Sequence, residues 1–172
     1  MIYFVTEKYL KDNTPIADNV DVKRVTPFVE VASDMRIQPL LGEHFYNDLL
    51  TKYNDETLNS DEVTLVKKIQ HAVSWYAASE AVFSVSRPLT NKGIQRQEGE
   101  NSESVDSDEL AFGMDHYAQK GAHYIRRIKH FLRENADKFP EFTSDENKDS
   151  DLYPKKYSEN SEEGFNNSIL II

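Results

Sequence analysis

The chain has 172 residues, no cysteine and a formal net charge of −10 at pH 7, with 38% hydrophobic residues and a mean hydropathy of −0.66. That length supports one domain with appendages, and the missing cysteines exclude disulfides, thiolate zinc sites and a cysteine nucleophile. The negative charge argues against a protein whose main work is gripping nucleic acid, because that affinity comes chiefly from Lys and Arg on phosphates, and the low apolar fraction implies that part of the chain is solvated or covered by a partner.

The opening "MIYFVTEKYL" has no basic n-region, no long apolar run and no small-residue cleavage site. No window reaches the ~18 apolar residues of a membrane span, so the expectation is a soluble protein made in the cytoplasm. "IYFV", residues 2–5, reads as a short strand, followed by a helical turn capped by Thr6 and a loop around Pro15. Residues 1–20 are thus an N-terminal arm. A first helix is expected over about residues 21–36, with Val25, Phe28, Val29, Ala32 and Met35 at helical spacing. Pro39 lacks the backbone N–H and pushes Gln38 towards extended geometry, so this helix should end near residues 36–38. Gly42 then supplies a turn before a second helix over about residues 43–53. Leu40 and Leu41 lie inside the break, where a solvent-facing corner would carry Asn, Asp or Ser. The corner Pro39, Leu40, Leu41, Gly42 is therefore expected to plug into a core.

Asn59 with Glu62 three residues on makes a capping box for the third helix, roughly residues 61–86. Leu65, Val66, Ile69, Val73, Tyr76 and Phe83 form one stripe on it, and Trp75, Ala78, Ala81, Val82 and Val85 fall on the face away from that stripe. A helix that is apolar all round is buried all round, and in a domain this small the second cover is expected from another subunit. Trp75, Ala78, Val82 and Val85 are the interface candidates. Glu80 falls within the stripe, as a raised-pKa acid or as a buried carboxylate paired with an arginine or set at a subunit seam.

Residues 88–107 are polar and without helical period, a loop of a length that is uncommon unless it functions or is disordered. The fourth helix is expected over about residues 108–135, with Leu110, Met114, Tyr117, Gly121, Tyr124, Ile125, Ile128, Phe131 and Leu132 as its apolar stripe. Residues 143–172 are acidic and turn-rich until they close on "SILII" and read as a tail. Its aliphatic end is costly to leave in water, at roughly 1.5–3 kcal/mol for each Leu or Ile that could be buried. Phe165, Ile169, Leu170, Ile171 and Ile172 are therefore expected to dock on a neighbour through a flexible tether. The whole reads as all-α: a four-helix bundle-like domain over residues 21–142 with a long loop near 88–107, the arm 1–20 and the tail 143–172.

His116, His123 and His130 recur every seven residues on the fourth helix. Seven residues rise about 10.5 Å, so no two of them can share an ion, and the paired Glu-x-x-His pattern of di-iron bundles is absent. No metal or cofactor is expected. Residues 115–138, with Arg126, Arg127, Lys129 and Arg133, hold six positive and three negative side chains. The chain supplies counter-charge, with two basic and six acidic residues over 89–109 and three basic and eight acidic over 139–172, so pairing within or between subunits is expected. There is no Gly-rich phosphate loop, nucleophile elbow or H-E-x-x-H, and no enzyme is expected.

The order "FVTEKYLKDNTPIADNVD", "MRIQPLLGEHFYNDLL", "LVKKIQHAVSWYAA", "LTNKGI", "SVDSDEL" and "HFLRENADKFPEF" resembles the head-tail connector proteins of tailed bacteriophages, in particular the adaptor or ring proteins of crAss-like phages. The likeness covers most of residues 4–142, and its marks are the corner at residues 39–42, Asn91-Lys92-Gly93 and Phe139-Pro140, none of them catalytic. The resemblance implies a helical subunit of a homo-oligomeric ring, a dodecamer, in the virion. It would lie beneath the portal protein and above adjacent tail or ring proteins, with DNA passing through the channel without specific binding. Read without the resemblance, the residues also fit a small helical regulatory or nucleic-acid-binding protein using the fourth helix, or a bundle metalloenzyme.

Overall fold

The computed structural model describes residues 3–86, 89–90, 93–94 and 106–148, and the fold is all-α. Phe165, Ile169, Leu170, Ile171 and Ile172, and most of the loop expected near 88–107, lie outside the described residues. Within that loop, β1 (Leu89–Thr90) and β2 (Gly93–Ile94) make a two-residue antiparallel pairing.

Helices α5 (Ser60–Ser86) and α6 (Ser107–Glu134) form an antiparallel spine. Their approach is close because the facing positions are small. The Ser79 hydroxyl donates to the Met114 carbonyl at 2.7 Å, and a Cβ built on Gly121 would stand 2.7 Å from the Tyr76 ring. α5 begins with the expected box: Asn59 Oδ1 accepts from the Glu62 N–H at 2.9 Å, and Glu62 Oε2 accepts from the Asn59 N–H at 2.8 Å. Leu65, Ile69, Val73, Ile128 and Leu132 are buried along the seam. The stripe drifts as α5 proceeds, since a straight helix falls about 20° out of register per heptad. Seven residues beyond the buried Val73, Glu80 is exposed, and Phe83 is 40% exposed. Neither belongs to the core the sequence suggested, and the buried carboxylate on α5 is Glu62, paired with Lys52 Nζ at 3.0 Å.

The other elements lie against this spine. α1 (Glu7–Asn13) is capped by Thr6, whose hydroxyl accepts from the Tyr9 N–H. Residues 3–5 form no strand. Phe4 instead acts as a plug, fully buried edge-on to Tyr46, with its carbonyl accepting from Gln70 Nε2 at 2.8 Å.

The expected first helix is three pieces: a 3₁₀ turn Val22–Arg24, α2 (Thr26–Ala32) and a π-turn Ser33–Ile37. Helical backbone then continues through Pro39 as α3 (Gln38–Leu41), and Gln38 keeps helical angles, φ −59° and ψ −45°. Proline is tolerated because it stands in the first turn of a new helical segment, where the N–H it lacks is least needed, and the π-turn has already reset the ladder. The same reset moves Met35 out of the predicted stripe to 64% exposure. The chain breaks only at Gly42, after which α4 (Glu43–Asn54) starts at once.

Candidate functional site

Three places concentrate what the fold leaves unusual: the corner at Gly42, an apolar groove beside α5, and a basic cleft between α5 and α6.

Gly42 has φ +84° and ψ 150°, a region open in practice only to glycine. As N-cap of α4 it has no side chain to offer the free N–H groups of that helix. The missing cap arrives from the far end of the domain. Asn147 in α7 (Asp145–Lys148) is fully buried, and its Oδ1 accepts from the Phe45 N–H at 3.1 Å. Its Nδ2 donates to the Leu41 carbonyl at 3.0 Å and to the Phe142 carbonyl at 2.9 Å. One carboxamide thus closes the end of α3 and the start of α4 together. Leu40 and Leu41 are buried beneath, and Phe45 packs against Phe139 and Phe142 with centroids 6.0 and 5.7 Å apart. The domain therefore runs past residue 142, into the stretch that reads as tail. Asn147 escaped the sequence reading; the available signal was a helix start preceded by glycine, a cap position with nothing to cap it.

The groove is lined by Ala78, Ala81, Val82 and Val85 of α5, Tyr117 of α6, and Ile16, Val20 and Val25 from the arm and the turn after it, around a volume of about 280 Å3. The arm wall is held by backbone contacts: the Thr14 hydroxyl donates to the Leu10 carbonyl at 2.7 Å, and Lys11 Nζ donates to the Asp18 carbonyl at 2.8 Å. Three of the four expected interface residues meet here, with Ala78 buried as the floor and Val82 and Val85 half-buried. Trp75 stands apart, under the Lys120 ammonium at 4.1 Å and tilted against Tyr117.

The cleft is an open hollow of about 470 Å3 lined by Lys68 of α5 and by His123, Arg126, Arg127, His130 and Phe131 of α6, with Glu134 and Asn135 at its end. Lys68 Nζ lies 4.8 Å from the Phe131 centroid. Burial, and then the Arg127 guanidinium, lower the Lys68 pKa; burial, Arg127 and Lys68 lower that of His71, which stacks on Tyr124. Expected carboxylate partners appear for part of this helix end only. Lys138 meets Asp61 at 3.1 Å and His130 stands 3.9 Å from Glu134, while Arg126 and Arg127 make no ion pair among the described residues. His116 and His123 are exposed with His130 along the same outer side, and among the described residues no group of three His, Asp or Glu could hold a metal ion. Nor is any described helix long and apolar enough to cross a membrane.

Residues 37–151, about two thirds of the chain, match the model of a family of unknown function, DUF6712, and the chain belongs to that family. The matched region starts at the end of the π-turn and stops just beyond Asn147, so it contains both halves of the corner. No curated protein and no solved structure matches the chain.

Proposed function

We propose that this member of the family is a structural subunit of a ring, the adaptor between the portal and the tail of a tailed bacteriophage, with no catalytic role. The observation that carries the reading is the apolar groove. Half-buried Val82 and Val85 border it on α5, above a floor of the buried Ala78 and Ala81. Apolar area of this kind is worth about 25 cal/mol per Å² when a neighbour covers it, and repetition around a ring closes each groove with the next copy. The order of sequence marks shared with head-tail connectors supports the same reading, and a wall with net negative charge suits a channel through which DNA slides without being held.

The test is the mass of the complex formed when the chain meets the portal protein of the same virus, since an adaptor can stay monomeric until then. The wild type should give a ring-sized assembly, and Val82→Asp should abolish it while leaving helicity intact. Normal rings from Val82→Asp, or a wild type that stays monomeric beside its portal, would sink the reading.

The basic cleft favours a second reading, a small nucleic-acid-binding protein. On that reading duplex DNA binds near physiological salt with an affinity that falls steeply as salt rises, and changing Arg126 and Arg127 to Ala removes it. The ring reading expects no appreciable duplex binding.

A further inference from the structure

We propose that the basic cleft between α5 and α6 is the seat of an acidic segment of the same chain, residues 158–163, "SENSEE". This goes beyond the ring reading and does not depend on it.

The first observation is segregation of charge. Lys8, Lys11, Lys52 and Lys138 each meet a carboxylate, as expected in a chain with 30 acidic residues against 20 Lys and Arg. Lys68, Arg126 and Arg127 differ in being gathered around one hollow, with Glu134 at its end, and none of the three meets a carboxylate among the described residues. Held together they disfavour one another's charge, and an anion laid between them relieves that.

The identity of the anion follows from reach and charge. Beyond Lys148 the chain carries Asp149, Asp151, Glu159, Glu162 and Glu163 against only Lys155 and Lys156. The last described element before that stretch, α7, is linked to the cleft wall by a run of contacts. Phe131, a wall of the cleft, touches Phe139 at 5.8 Å, Phe139 touches Phe45 at 6.0 Å, and the Phe45 N–H is held by Asn147 at 3.1 Å. From Lys148 to Glu159 the chain can span about 36 Å when extended, ample for that path. Of the acidic residues between α5 and α6, Glu100 and Glu103 stand seven and four residues before Ser107, extended spans of at most about 25 and 14 Å, short of the about 30 Å along α6 from Ser107 to Arg127. A duplex is the poorer fit: a chain of net charge −10 repels a polyanion at long range, and the cations occupy one short hollow. Exposed ion pairs are individually weak, but a tether keeps the local concentration at roughly the millimolar level, where a few of them suffice.

The chain has no cysteine, so Ser161→Cys carries a nitroxide label at a single site in the otherwise complete protein. In low salt the label should broaden the NMR signals of Phe131, His123 and His130 while leaving those of Leu110 and Phe112 sharp. The broadening should vanish in 0.5 M salt (about a 4 Å screening length) and with Arg126→Glu and Arg127→Glu together. Circular dichroism of the reversed variant separates loss of seating from loss of fold; if it fails to fold, Glu159→Gln, Glu162→Gln and Glu163→Gln together should abolish the broadening in its place. Mixing labelled chains with unlabelled, isotope-enriched ones should give none. Sharp cleft signals at low salt, broadening indifferent to the charge changes, or broadening only across the mixture would each overturn the proposal. So would salt-sensitive duplex binding at Arg126 and Arg127 with the label leaving the cleft signals sharp, since the cleft would then serve nucleic acid.

Discussion

At the Gly42 corner one carboxamide satisfies three backbone groups, while on the outer side of α5 and α6 Arg126 and Arg127 lack carboxylate partners among the described residues, and Val82 and Val85 are only half covered. The corner is complete within the chain, so a change there is felt by the fold. The outer surfaces are incomplete within the chain, and changes there should be felt by whatever completes them.

The largest effect is expected at Gly42. Moving a side chain into φ +84° costs about 1–3 kcal/mol, and the added Cβ would stand 2.4 Å from Asn147 Oδ1 and displace the carboxamide. With the hydrogen bonds lost as well, Gly42→Ala should lower unfolding free energy by about 3–5 kcal/mol, read from the urea midpoint. Asn147→Ala comes next. It keeps the backbone of Gly42 but leaves the Phe45 N–H and the Leu41 and Phe142 carbonyls without their partner, at about 2–4 kcal/mol. Were both changes to cost under about 1 kcal/mol, the corner would be no more closed than the surface.

Helices α4, α5 and α6 are legible in the sequence because each carries a sustained apolar period, and α5 has a start signal as well in Asn59 with Glu62. The path around Pro39 is not. A proline argues locally for a break, but the local cost is overridden when Leu40 and Leu41 must reach the core, and the π-turn that absorbs the mismatch leaves no mark in the pattern. Asn147 was hidden for another reason: a cap delivered from 102 residues away has no spacing to recognise. Of the candidate surfaces, Ala78, Val82 and Val85 could be read from the excess of apolar faces on α5. The cleft could be read only in part, because the basic run on α6 is visible in sequence while the addition of Lys68 from α5 is a product of antiparallel packing.

A smaller effect on the fold is expected in the groove. Val82 is only partly buried, so Val82→Asp should shift unfolding free energy by no more than about 1 kcal/mol, although the same substitution is the one expected to abolish ring assembly. A loss of stability close to that of Asn147→Ala would mean that the groove is part of the core, and the division between closed and open regions would fail there.

The smallest effect is a titration. His71 is held below its ordinary value of 6.5 by burial first, then by Arg127 and Lys68, so the neutral ring is favoured in the folded chain. As pH falls through the ordinary value the unfolded chain takes up the proton before the folded one does. The contribution of His71 to stability is therefore fully present above about 6.5 and is lost as pH drops through the lower folded value. Arg127→Gln removes one cationic cause and should move the His71 titration upward, as followed by its ring-proton shift, with a smaller loss of stability in acid. Changing Glu159, Glu162 and Glu163 to Gln should move it the other way, because carboxylates seated in the cleft partly offset Arg127 and Lys68. An upward shift from Arg127→Gln with no response to the tail would leave the cleft's own electrostatics standing and remove the acidic segment from it. No response to either would mean that burial alone sets the proton affinity of His71.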